Sequence, residues 1–347
     1  MVGVCDQEKL MADQLAERFE VARSFSDVDQ LLTETRPDVV HITTPPQSHF
    51  QLTKKCLEAG CHVYVEKPFS LDLSEAREMF ALAEKFGLRI IAGHNYQFSP
   101  DMNKMRELVR SGALGAPIHI ESTFSYDLGD ATYVGSLFGD RSHWVRSLPG
   151  KLLQNVISHG IAKIAEFLVE EEFNVVVHGF TSPKLQRAGV TDITDELRVL
   201  ISTTTNLTAY FTFTTQVVPP VQELRVFGTK GSVVADSLHR TIVRLDNANS
   251  SLKSYLNFVI PASDRAKQYL KNTYLNIAAF LKADFHMDVG MKILFEAFYR
   301  SIRFGDPSPV SPREILLTAA IMDEIFRQLA NPTQAFDSPR NRAAMVR

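Results

Sequence analysis

One tryptophan and three cysteines are spread over 347 residues, with no long apolar run, no basic block and no acidic tail. Each shortage excludes something. The apolar runs are strand length, far short of the about 20 residues that cross a bilayer, so no membrane-spanning helix is expected. Cys5, Cys56 and Cys61 form neither an even disulfide framework nor a metal-ligand spacing. They read as reduced thiols in a cytoplasmic protein without a bound metal. A formal net charge of −3 leaves no footprint for nucleic acid or an anionic membrane surface. The opening Met1-Val2-Gly3-Val4-Cys5-Asp6 lacks the charged and long apolar regions of a signal peptide. Also missing is a glycine-rich turn, G-x-G-x-x-G, between a strand and a helix. What is present, 45% hydrophobic and 22% charged residues, is ordinary for a globular chain, and the length suits two domains.

The first 98 residues alternate strand and helix. Val2 to Cys5 reads as a strand, and Met11, Ala12, Leu15, Ala16 and Phe19 share one face of a helix over Lys9 to Phe19. A short strand near Val21, a helix from Asp27 to Thr35 and a strand from Asp38 to Thr43 follow. Leu52, Cys56 and Ala59 mark a helix ended by Gly60, and Asp72 with Glu75 makes a capping box for a helix closed by Gly87. Leu88 to Ala92 is the last strand of this series. Such alternation predicts βαβ units and a parallel sheet covered on both faces, a doubly wound α/β domain over residues 1–98.

From residue 99 to 347 the pattern is α+β. Helices are expected at Asp101 to Arg110, from about Leu152 to Phe167, at Asp264 to Ala283, at Val289 to Phe304 and at Pro312 to Leu329. Pro117 to Tyr126 reads as a strand, and from Phe173 to about Leu245 the period is mostly two. That predicts a mostly antiparallel sheet with one face for helices and another for a partner subunit.

The stretch Gly60-Cys61-His62-Val63-Tyr64-Val65-Glu66-Lys67-Pro68-Phe69 organises the first domain. A helix stop leads into a buried strand, and the pair Glu66-Lys67 stands at its carboxyl end, where ligands bind in open parallel sheets. Pro68 restricts Lys67 to extended geometry and so aims it. Alone, the pair would be a surface ion pair before a loop proline.

Thr43-Thr44-Pro45-Pro46-Gln47-Ser48-His49, then Ala59 to Pro68, then Ala92-Gly93-His94-Asn95-Tyr96, resemble the Gfo/Idh/MocA oxidoreductases. The likeness continues through Ser111 to Gly115, Phe227 to Gly231 and Gly305 to Val310. It implies NAD, or alternatively NADP, in the first domain and a sugar, cyclitol or related polyol facing it from the second. Lys67 matches the family's catalytic lysine. Asp6 matches the acid that binds the adenosine ribose hydroxyls and favours NAD. Cofactor contacts are implied for Asp6, Thr44, Pro45, His49, Glu66, Lys67 and Asn95. In Gly150-Lys151-Leu152-Leu153-Gln154-Asn155-Val156-Ile157-Ser158-His159, Asn155 and His159 are four apart and share a helix face. His159 matches the family's histidine, which takes the hydroxyl proton as hydride leaves carbon, a task suited to an imidazole.

Three departures qualify the match. Roughly 25 to 30 residues of the family's opening βα unit, with its glycine-rich turn, have no counterpart, so a gap is expected in the sheet. Asn155 stands where the family usually has aspartate, and Ala162 where many relatives carry another acid. Both leave His159 without its usual anionic neighbours. The resemblance therefore implies a sugar or polyol dehydrogenase. The alternatives are an NAD-using glycoside hydrolase of the same family or a cofactor-free binding subunit. Thr123 to Pro149, with Trp144, is expected to set the substrate.

Overall fold

A computed structural model describes residues 1–127, 142–169, 172–245, 256, 258–282 and 289–331. Residues 128–141 of the expected substrate stretch lie outside them.

The first part of the chain runs β1 (Val4–Cys5), α1 (Lys9–Arg18), β2 (Ser24–Phe25), α2 (Val28–Thr35), β3 (Val39–Ile42), α3 (His49–Glu58), β4 (His62–Val65), α4 (Leu73–Phe86) and β5 (Ile90–Ala92). Local chemistry sets the ends. Asp27 accepts from the Gln30 amide at the start of α2. Asp72 accepts from the Glu75 amide at 2.8 Å, while the Glu75 carboxylate reaches back past the cap to the Leu71 amide. Gly60 and Gly87 take positive φ values just past α3 and α4, as glycine allows. All pairings here are parallel, but the strands form two sheets, β1-β2 and β3-β4-β5, instead of one.

The reading of α1 needs correction. Ala12 and Ala16 are buried as expected, whereas Met11, Leu15 and Phe19 stand exposed. The helix is short of an apolar neighbour along that stripe, and sequence spacing reports a stripe without reporting what covers it.

The second part holds α5 (Pro100–Arg110), β6 (Pro117–Ser125), α6 (Lys151–Val156), α7 (Ser158–Ala165), β7 (Phe173–Phe180), α8 (Pro183–Arg187), β8 (Glu196–Thr203), β9 (Thr208–Thr214), β10 (Gln222–Gly228), β11 (Ser232–Asp236), β12 (Thr241–Leu245), α9 (Ile260–Leu281), α10 (Val289–Phe304) and α11 (Pro312–Ala330). Its seven-stranded sheet has the order β12-β11-β10-β6-β9-β8-β7 and is antiparallel except between β6 and β9. The single helix expected from Leu152 to Phe167 is divided at Ile157 into α6 and α7. α7 and α11 lie on one face of the sheet, contributing Ile161, Ile164, Ile321 and Ile325 to its core. On the other face, Val176, Leu200 and Tyr210 stand in register on β7, β8 and β9, all exposed.

Two cores result. The first collects Val63, Tyr64, Val65, Met79 and Ile91, and it also takes Leu294, Phe298, Val310 and Ile315 from the end of the chain. The second fills the space between the large sheet and its helices.

Candidate active site

Parallel strands bring their carboxyl ends to one side, and loops there carry Asp6 after β1, Thr44 and Pro45 after β3, Glu66 and Lys67 after β4, and His94 and Asn95 after β5. Thr44 and Pro45 are exposed, with the Thr44 hydroxyl 2.6 Å from that of Ser48. His49 is wholly buried between two of these loops. Its Nε2 faces the Thr44 carbonyl at 2.8 Å and its Nδ1 the Pro68 carbonyl at 2.9 Å, so it ties the two loops together. Burial, the largest influence, lowers its pKa, and the carbonyls oppose that.

Glu66 and Lys67 turn apart. The Glu66 carboxylate accepts from the Tyr64 hydroxyl at 3.2 Å and from the Lys67 amide at 3.1 Å. It occupies the space a side chain at position 93 would need, which is why Gly93 suits that position. Burial raises its pKa. Lys67, joined to Pro68 by a cis peptide bond, points instead to the second domain, where its Nζ donates to the backbone carbonyl of Asn155 at 3.1 Å. Asn155 therefore steadies the lysine through its main chain, a service that asparagine and aspartate perform alike. Burial lowers the Lys67 pKa, and the Glu66 charge partly opposes the shift.

One turn beyond Asn155, His159 is 5% exposed, with its Nδ1 unpartnered. Tyr96 meets its ring edge-on at 4.4 Å between centroids, and Phe124 lies 5.6 Å away. Its pKa falls well below the ordinary 6.5, first through burial, then through Lys67, His94 and Lys163. At neutral pH the ring is uncharged and able to accept a proton. The close approach of α7 to the sheet depends on Gly160, where a Cβ would meet the Phe211 ring at 2.2 Å.

Two neighbours escape a reading of the sequence for catalytic residues. His94 is 2% exposed, its Nδ1 unpartnered and its pKa pulled down to about 4 by burial and Lys67. Lys163, equally buried, donates to the Ser237 hydroxyl at 2.8 Å, and that hydroxyl donates to Asp101 at 3.0 Å. The signals were there: His94 ends a parallel strand as Lys67 does, and Lys163 interrupts the apolar run Ile161-Ala162-Lys163-Ile164-Ala165.

The second domain also touches the cofactor-side loop. Gln47 donates to the Trp144 carbonyl at 3.1 Å and to the Ser147 hydroxyl at 2.8 Å. Among the described residues, no three His, Cys, Asp or Glu side chains are grouped to hold a metal, and no helix is long and apolar enough to cross a membrane.

The residues fit a nicotinamide dinucleotide at its ends. The orphaned nitrogens of His94 and His159 lie close enough to Lys67 for its charge to lower both pKa values, and Asn95 Oδ1 is likewise buried without a partner. Asp6 is exposed at the end of β1, one carboxylate oxygen on the Glu8 amide. The middle fits poorly: no strand-to-helix turn in this sequence carries the glycine-rich run whose backbone amides would hold a diphosphate.

A family model described as oxidoreductase family, NAD-binding Rossmann fold (GFO_IDH_MocA) matches residues 1–94, and the GFO/IDH/MocA C-terminal domain matches residues 102–234. D-glucoside 3-dehydrogenase of Escherichia coli (strain K12) is 37% identical over 115 residues, a match spanning 33% of each chain. Myo-inositol 2-dehydrogenase of Thermotoga maritima is 25% identical over 289 residues, 78% of this chain and 80% of that one. Among solved structures, UDP-N-acetylglucosamine 3-dehydrogenase GnnA from Acidithiobacillus ferrooxidans superposes with a TM-score of 0.67 at 20% identity, covering 94% of this chain and 88% of the other.

Proposed function

Since the chain belongs to the Gfo/Idh/MocA oxidoreductases, whose first domain is an NAD-binding Rossmann fold, we propose that it transfers a hydride between NAD and a hydroxyl of a sugar, cyclitol or related polyol. The observation that carries this reading is Lys67, held by the Asn155 carbonyl, with neutral His159 one turn further on. By name, one relative acts on the 3-position of a glucoside and another on myo-inositol, and a structural neighbour acts on the 3-position of an amino-sugar nucleotide.

Lys67 has three donors and spends one on Asn155, leaving the others for the reacting oxygen. His159, uncharged at neutral pH, takes the hydroxyl proton as the carbon becomes a carbonyl. NAD, when bound, supplies the hydride acceptor. Thr44, Pro45, Asn95 and Glu66 would hold its nicotinamide side, and Asp6 would hold the adenosine ribose. His49 acts through the two loops it joins. Lys67→Met is expected to lower turnover of myo-inositol or a D-glucoside by ~10²–10³ without changing the circular dichroism spectrum. Turnover within a few-fold of wild type overturns the assignment.

A second reading, a cofactor-free binding subunit, has one observation in its favour: no strand-to-helix turn in this sequence carries the glycine-rich run on which a diphosphate rests. Titration with NADH, followed by its fluorescence, separates the two. The exposed face bearing Val176, Leu200 and Tyr210 supports a homo-oligomer formed through the large sheet.

A further inference from the structure

α9 turns a polar side to the protein and an apolar side away from it. On the polar side, Gln268 accepts from the Arg244 amide at 2.8 Å and donates to the Arg244 carbonyl at 3.0 Å. Asn272 donates to the Ile242 carbonyl at 2.9 Å and Asn276 to the His239 carbonyl at 3.0 Å. These amides, four residues apart, stand in for a neighbouring strand along β12, which is the edge of the large sheet. Asn272 is the one buried residue of the helix. At about 100° per residue, the opposite side carries Leu270, Tyr274, Ile277 and Leu281, with Tyr269 at its border. These five are between 53% and 77% exposed.

The outward positions 270, 274, 277 and 281 are spaced four, three and four apart, the seam of a coiled coil. The seam is also its own complement. Turned end for end about a point between residues 275 and 276, the helix sets Leu270 against Leu281 and Tyr274 against Ile277. An isologous contact requires that kind of match. The same operation sets Lys271 against Phe280 and Lys282 against Tyr269, cation beside ring. A parallel pair would instead set each lysine against its own counterpart. Taking about 200 Å² for a large apolar side chain, the five exposures amount to roughly 600 Å² per copy, the lower end of what a specific interface takes from each partner.

We propose that α9 pairs antiparallel with α9 of a second copy across a two-fold axis, a contact separate from the row on the large sheet. A lipid surface would use the apolar side and have no need of the end-for-end match. At its size this contact forms and parts with concentration.

The test is sedimentation velocity of the full chain carrying Leu200→Arg, which silences the sheet row, over a rising concentration series. That chain is expected to be monomeric at low micromolar concentration and to dimerise at on the order of 100 µM, as a small interface does. Leu270→Glu or Leu281→Lys, added singly, should weaken the dimer about tenfold or more by burying an unpaired charge, with the circular dichroism spectrum unchanged. Mixing the two single variants should restore association. The new glutamate of one chain then faces the new lysine of the other, and the remaining leucines meet at the far end. Within one helix the two positions are about 16 Å apart along the axis, too far to pair. A chain that stays monomeric throughout the series, single variants that dimerise as their parent does, or a mixture no tighter than either variant alone overturns the proposal. So does a monomer that pellets with phosphatidylglycerol vesicles and loses them on Leu270→Glu, because the apolar side would then serve a lipid surface.

Discussion

His94 and His159 each keep an unpartnered Nδ1 in surroundings that resist a positive charge, and this has a consequence for stability. In the unfolded chain both titrate near 6.5, whereas the folded His94 holds out to about 4 and His159 is likewise depressed. Below 6.5 the unfolded state therefore binds more protons than the folded one, and stability falls as pH drops through that window. For His94 the full loss is about 3 kcal/mol, from 1.36 kcal/mol per pH unit. Urea midpoints measured from pH 7 to pH 4 should decline, and His94→Asn should flatten the decline. The activity limb that reports His159 should lie below 6.5, and Asn155→Asp should move it upward by supplying the missing anion. Lys67 and His159 were legible because each sits in a motif with fixed spacing. The direction in which Lys67 points, and its choice of the Asn155 carbonyl over any side chain, depend on a contact 88 residues away in sequence. No local pattern encodes that.

Most elements follow from local rules, and those that do not have partners distant in sequence. Asp27, Asp72, Gly60 and Gly87 set helix ends where their chemistry says they should. The stripe Met11-Leu15-Phe19 has helical spacing and no cover. The division of α6 from α7 at Ile157 has no proline or glycine at the break to announce it. Gly160 is the position where α7 meets the sheet, and a substitution there sets two effects against each other. Alanine gains up to about 1 kcal/mol in helix propensity. Against that, its Cβ would sit 2.2 Å from Phe211, a ring 1% exposed and packed on all sides. Overpacking of this kind costs about 1–3 kcal/mol, so steric conflict wins. Gly160→Ala should lower the urea midpoint and, by displacing the turn that carries His159, reduce turnover more than binding of NADH. An unchanged midpoint would show that α7 can slide away from β9.

The large sheet presents Val176, Leu200 and Tyr210 in one row across β7, β8 and β9, continued by Glu121 and Arg225 on β6 and β10. If this face joins two copies, Leu200→Arg should convert an oligomer to a monomer in analytical ultracentrifugation while leaving the circular dichroism unchanged. A wild-type chain already monomeric at micromolar concentration removes that role. The mostly antiparallel character of the sheet was legible from the two-residue period. The parallel pairing of β6 with β9 was not, because alternation fixes which side chains share a face and says nothing of strand direction. Nor does chain order reveal that Leu294, Phe298, Val310 and Ile315 complete the core begun by Val63 and Tyr64. During synthesis, the ribosome delivers β3, β4 and β5 more than 200 residues ahead of those four side chains. Until those four side chains arrive, the core around β4 keeps a hydrophobic face open, so a sheet made early is closed only by segments made much later.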